Sequence, residues 1–325
     1  MASVWLYNKK LKKWCKKNNL GLVDGDFSFD PKEPLKDPLI EVISQDININ
    51  KEFIYSGAGI NQFIPALICH TKWKDIFIPS IEFGLYERSG IISQKNIHYI
   101  DAITTAQFVK IIQTLNSTES SLLCFSSPRW VSGERFTLDQ IKQICHAFKG
   151  NIFIDEAYVD FSDTPNQLLS LCMENSKIIL ARSFSKKYIA SGIRAGYIIT
   201  KTNIDGLRNT IIPPHSITTH TNKMLTHLIS DIKLNKSFEE TRKYICENRD
   251  YIYNKLKSIP NFKILKSSAN FITILFNNSL ILDKYYQKIS NIVGVNKYEM
   301  GSQFFIKIWI KNFKFSELIV NQLLS

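Results

Sequence analysis

The 325 residues carry 41 basic and 29 acidic side chains, a net charge of +12, with 44% hydrophobic and 22% charged residues. This is the make-up of a soluble globular protein, long enough for one large α/β domain and a smaller one. No apolar run is long enough to cross a bilayer and the N-terminus lacks an apolar signal core, so a cytoplasmic protein without a membrane partner is expected.

The first element is basic. NKKLKKWCKK places six lysines between Lys9 and Lys17. It reads either as an arm for polyanions or as the solvated face of a helix whose other face carries Trp5, Leu11, Trp14 and Cys15. Attraction of anionic substrates is a third use. Charge runs are usually solvated faces, so no nucleic-acid partner is expected. DFSFDPKEPLKDP, residues 26 to 38, reads as an extended Pro- and Asp-rich arm. Residues 1–38 thus form an N-terminal helix and arm.

From about residue 54 short apolar runs alternate with amphipathic ones. KDIFIPS, NIHYI, SLLCFSS, NIFIDEA, KIILARS and GYIIT each predict a strand, and LDQIKQICHAFK predicts a helix between two of them. This rhythm predicts a largely parallel sheet with helices on both faces, and places a site at the carboxyl ends of the strands. Beyond about 240 the pattern becomes a helix, the strand NFITILF, a helix near LDKYYQKIS, the strand QFFIKIWI and a last helix, a smaller α+β domain. The expected division is 39–215 for the large domain and 216–325 for a linking helix and the small one.

Three strand ends carry chemistry. Lys186 follows KIILARS, and a lysine in a partly dry pocket can attack a carbonyl to give a Schiff base. Ser183, Ser185 and Arg194 beside it suit a phosphate dianion. Asp155 follows the strand of NIFIDEAY, where a buried carboxylate needs a partner such as a protonated pyridine nitrogen. Tyr158 is placed to donate to a phenolic oxygen. SGAGINQFI, residues 56 to 64, turns a strand into a helix whose N–H groups face an anion. Taken singly, the lysine could lie in a solvated loop, the aspartate could cap a helix, and the glycines could form an ordinary turn. The six cysteines form no CxxC pair and the six histidines no ligand set, so thiols are expected reduced and no metal site is expected.

Together these segments resemble the fold-type I, pyridoxal-phosphate-dependent enzymes of the class I/II aminotransferase family, nearest to histidinol-phosphate aminotransferases and threonine-phosphate decarboxylases. RSFSKKYIASGIRAGY resembles the family's cofactor-lysine segment and DEAYVDF its pyridinium-partner segment. The resemblance implies a three-layer fold with a mostly parallel sheet in the large domain. It implies a homodimer with pyridoxal 5'-phosphate bound to Lys186. Ser183, Ser185 and Arg194 would hold the phosphate together with Gly59, Ile60 and Asn61. Asp155 would pair with the ring nitrogen, Tyr158 with the phenolic oxygen, and Phe83 of EFGLYERSG would stack on the ring.

Three departures stand out. SSPRWVSG puts Trp130 where the family has the asparagine that contacts the phenolic oxygen. QFFIKIWIKN puts Lys307 at the family's carboxylate-binding arginine. The stretch before the glycine loop lacks the Tyr-Pro element that often reaches a partner subunit. The implied activity is an aminotransferase of amino acid metabolism acting on a small amino acid or amine, with or without a phosphate. Arg129 and Lys307 are expected to meet an anionic tail. A decarboxylase of a phosphorylated amino acid and a ligand-binding protein of the same fold are the alternatives.

Overall fold

The computed structural model describes residues 38–188, 191–203, 216–300 and 302–325. The basic stretch Lys9–Lys17 and the Asp-Phe-Ser arm lie outside the described residues.

Seven strands form the larger sheet: β1 (Ile54–Gly57), β2 (Asp75–Pro79), β3 (Asn96–Ile100), β4 (Ser121–Ser126), β5 (Asn151–Asp155), β6 (Ile178–Ser183) and β7 (Gly196–Thr200). Their spatial order is β1-β7-β6-β5-β4-β2-β3. β2 to β6 pair in parallel, while β7 pairs antiparallel with both β6 and β1. The six strands expected from the sequence all form. β1 is the strand that the glycine turn of SGAGINQFI implied; its own four residues IYSG hold too little apolar sequence to mark its start.

Both sheet faces are covered. β4 sends Leu123 and Phe125 into one core and Leu122 and Cys124 into the other, as a period of two requires. The first core is capped by the helices Pro38–Ile47, Thr105–Ile112, Leu138–Ala147 and Leu169–Glu174, and the second by the helix Ile60–Ile68. Central strands buried on both faces read as continuous apolar runs, which is why SLLCFS and NIFI were legible. Two of these helices begin with capping boxes, Thr104 with Gln107 and Thr137 with Gln140.

The helix Thr219–Ser230 packs Leu225 into the first core beside the large sheet, although it lies beyond residue 216. The long helix Ile232–Leu256 then leads to a second, antiparallel sheet of order β10-β11-β9-β8. Its strands are β8 (Lys263–Leu265), β9 (Phe271–Phe276), β10 (Val295–Met300) and β11 (Gln303–Trp309). One face of β9 and β11 sends Ile272, Ile274, Ile306 and Ile308 into a core closed by the helices Ser279–Ile289 and Phe313–Leu324. The opposite face carries Phe271, Thr273, Phe305, Lys307 and Trp309. It packs on the segment 127–133 and on Tyr158, which follow strands β4 and β5 of the larger sheet. No helix among the described residues is long and apolar enough to cross a membrane.

Candidate functional site

The sheet register brings the chemistry to one edge. Ser126 at the end of β4 pairs with Asp155 at the end of β5, and Asp155 pairs with Ala181 of β6. Two residues on, Ser183 pairs with Gly196, which pairs with Gly57 of β1. Neighbouring strands lie roughly 5 Å apart, so the glycine turn, the lysine segment and Asp155 share one short stretch of sheet edge.

At one end is a cradle. Gly59 has φ +85° and precedes the helix Ile60–Ile68, whose first turn has no side-chain cap. A Cβ on Gly59 would stand 3.4 Å from Arg194 Nη2, and one on Gly196 would stand 3.2 Å from the Gly59 Cα. The glycines therefore keep open the space between the helix N-terminus and the guanidinium. Arg194 itself holds φ +49° and donates to the Ser185 hydroxyl at 3.4 Å. The Ser183 hydroxyl accepts from the Ser185 N–H at 3.2 Å and so starts the short helix Phe184–Lys187. Backbone N–H groups, hydroxyls and a forked cation around one open space are the donor set a phosphate requires. Ile60 is buried and Asn61 exposed at this helix start.

Lys186 lies in that short helix, half-buried, its Nζ 5.6 Å from the Tyr158 ring centre and 5.7 Å from the Trp309 ring. Burial, and then the charge of Arg194, push its pKa down, so more of it is the free amine. Lys187 faces elsewhere, in an ion pair with Asp46 at 2.8 Å.

Asp155 is buried at 7% exposure. Its Oδ1 accepts from the Ala157 N–H at 2.8 Å and its Oδ2 from the Tyr86 hydroxyl at 3.1 Å. Burial raises its pKa to about 7, with a further push from the charges of Glu82 and Glu156. Among the described residues no cation forms an ion pair with it. A cationic ring nitrogen would fill that role, so with the cradle at the other end the residues present fit pyridoxal phosphate.

A sequence profile for the family described as aminotransferase class I and II matches residues 35–303. The chain belongs to this family. Its cofactor is pyridoxal phosphate. A histidinol-phosphate aminotransferase of Ruminiclostridium cellulolyticum is 28% identical over 248 residues, 74% of this chain and 68% of the relative. The fold matches the histidinol-phosphate aminotransferase of Sinorhizobium meliloti solved with pyridoxal-5'-phosphate. That match has a TM-score of 0.69 and 14% identity, covering 88% of this chain and 81% of the other. It also matches the L-threonine-O-3-phosphate decarboxylase of Porphyromonas gingivalis, with a TM-score of 0.69 and 13% identity, covering 89% and 87%.

The side of the site formed by the second sheet departs from the expectation. Arg129 and Lys307 were expected to meet an anionic substrate tail, and both are fully buried. Arg129 Nη2 donates to the Ala102 carbonyl at 2.7 Å while its guanidinium lies 4.9 Å from the Phe108 ring centre. Burial lowers its pKa to about 10, against the opposing pull of Glu82 and Glu134. Lys307 Nζ donates to the Trp130 carbonyl at 2.6 Å. Three rings enclose it, Phe271 at 3.7 Å, Trp130 at 3.8 Å and Trp309 at 4.7 Å from their centres. Desolvation pushes its pKa well down. Both cations are buried away from solvent in this structure: Arg129 keeps Nε and Nη1 without a hydrogen-bond partner, and Lys307 is shut in by the three rings and the Trp130 carbonyl.

Trp130 is half-buried, edge-on to Tyr298. The buried Tyr158 ring packs on Phe271 and Trp309, and burial raises its hydroxyl pKa. Phe83 is 37% exposed in the loop before the helix Leu85–Ile92. Sequence reasoning missed Glu82, whose carboxylate accepts from the Ser126 N–H at 3.1 Å and the Ser126 hydroxyl at 2.8 Å. An acid three residues past a strand end, beside an expected ring-stacking aromatic, was a usable signal. It missed Trp309 too, although a spacing of two from Lys307 on a strand already put them on one face.

Proposed function

We propose that the protein is an aminotransferase that takes an amino group from a small amine or amino acid, with Lys186 as the residue that binds pyridoxal phosphate. The observation that carries this reading is one sheet edge holding, in order, an anion cradle, a lysine of lowered pKa and a buried carboxylate without a cation. Curated relatives named histidinol-phosphate aminotransferase support amino transfer as the reaction class.

When bound, the cofactor ring withdraws electrons from the substrate carbon and so acidifies the bond to its proton. This chain's residues do the rest. Gly59, Ile60 and Asn61, with Ser183, Ser185 and Arg194, hold the phosphate. Asp155, steadied by Tyr86, keeps a negative charge at the ring nitrogen. Tyr158 offers its hydroxyl to the phenolic oxygen, and Phe83 with Trp130 covers the ring. Lys186 would hold the cofactor and, as a free amine of lowered pKa, would be the base that moves the substrate proton at its Nζ.

Added pyridoxal phosphate should give a visible absorbance that borohydride fixes onto the peptide containing Lys186. Lys186→Ala should lose it while the protein stays folded. A folded wild type that never traps the cofactor would end this reading. Formation of a carbonyl product without carbon dioxide separates amino transfer from decarboxylation. A homodimer in the cytoplasm is proposed as the working form. Arg194 and Asn61 are exposed at the anion end of the single chain and would be covered by a second copy. Light scattering at twice the chain mass is the expected result.

A further inference from the structure

Lys186 looks out on rings. Tyr158 and Trp309 lie within 5.7 Å of its Nζ, and the same Trp309 ring lies 4.7 Å from Lys307. Trp130 and Tyr298 continue this surface, edge to face at 5.5 Å. Trp309, Trp130 and Tyr298 are each partly exposed, so the wall is reachable beside the reactive amine.

Among the described residues no cation on this wall is open to an anion. The amines within cation–π range of these rings are Lys186 and Lys307. The first is the reacting group. The second is 0% exposed, with its donor on the Trp130 carbonyl. Arg129 is equally buried. Arg194 stands at the opposite, phosphate-holding end beside Gly59. The nearby acid Glu82 is held by the Ser126 N–H and hydroxyl, and burial pushes its pKa up, so it offers an anion no partner. A phosphate or carboxylate tail placed against these rings would lose water without gaining a partner among the described residues. A flat apolar group would gain ring contacts instead.

We infer that this wall selects an amino donor whose far end is flat and uncharged, with Trp309 and Trp130 as its specificity-determining residues and Lys307 as the positioning residue that holds Trp130. The inference rests on the aminotransferase reading above and narrows its substrate class. Lys307 acts from the second sheet. Its bond to the Trp130 carbonyl and its seat under the indole fix that ring at the angle the wall needs.

The test uses the full chain with pyridoxal phosphate present and two primary amines of similar length, 2-phenylethylamine and O-phosphoethanolamine. Quenching of tryptophan fluorescence reports binding, and the single-turnover change in cofactor absorbance reports reaction. Wild type should bind phenylethylamine at least about tenfold more tightly than phosphoethanolamine, the scale on which apolar pockets discriminate. Trp309→Ser should erase most of that ratio by weakening only the aryl amine. Lys307→Met should weaken the aryl amine, change the tryptophan emission and leave phosphoethanolamine unmoved, and Lys307→Gln, which keeps an N–H donor, should recover part of the loss. Three results would overturn the inference: phosphoethanolamine binding as tightly as the aryl amine, neither amine binding, or loss of phosphoethanolamine binding in a folded Lys307→Met. If borohydride traps no cofactor on Lys186, the aminotransferase reading fails on its own, and the fluorescence titration still decides the wall.

Discussion

Asp155 shows how burial turns a common residue into a functional one. Its carboxylate accepts two hydrogen bonds yet keeps a pKa near 7, because desolvation outweighs both. In the cofactor-free protein the sign follows directly. Between about pH 4 and 7 the folded chain holds a proton that the unfolded chain has released, so stability falls as pH rises through that window. Glu82, also pushed up by burial, adds to the same slope. Asp155→Asn should therefore flatten the loss of Tm between pH 5 and pH 8 without abolishing it. It should also weaken cofactor binding, since a neutral amide cannot pair with a cationic ring. An unchanged Tm profile would mean that Asp155 is already ionised in the folded protein. Both roles were half legible in NIFIDEAY. The position at a strand end could be read, but Tyr86, the partner that holds the carboxylate, is 69 residues away.

At the scale of elements, the decisive unit is β1, its glycine turn and the helix Ile60–Ile68. Gly59 at φ +85° is in a region that costs a side-chain-bearing residue roughly 1–2 kcal/mol. Gly59→Ala adds a Cβ 3.4 Å from Arg194 Nη2 as well. Its expected effect is a lower Tm together with phosphate-end affinity reduced about tenfold, the equivalent of ~1.4 kcal/mol; titration with pyridoxal phosphate measures it. Thr137→Ala, at the capping box of the helix Leu138–Ala147, should lower stability by about 1 kcal/mol and leave cofactor affinity alone. The contrast separates local strain at the cradle from general loss of stability. The helix was readable from LDQIKQICHAFK. The short strand β1 was implied only by the glycine turn after it, because its four residues draw their stability from β7 and not from their own pattern.

Across the whole molecule, the second sheet grips the loop that covers the site. The Thr273 hydroxyl donates to the Val131 carbonyl at 2.7 Å, the Ser268 N–H to the Gly133 carbonyl at 2.7 Å, and Lys307 to the Trp130 carbonyl at 2.6 Å. Thr273 is fully buried, so Thr273→Val leaves a buried carbonyl without a donor and should reduce stability by about 1–3 kcal/mol. Denaturant unfolding checks the magnitude. The same variant should loosen Trp130 and change its fluorescence, an outcome that an effect confined to the second sheet would not produce.

The sequence by itself determined the parallel sheet, since strands buried on both faces must be continuously apolar. It also determined the order in which lysine, aspartate and glycine turn arrive at strand ends, because strand, turn and helix signals are local. The tertiary structure alone decided what the cations do. Arg129 and Lys307 read as anion receptors from charge, yet a charge acts only through what surrounds it. Phe108, Phe271, Trp130 and Trp309 come from four separate segments, and only folding brings them around those two side chains.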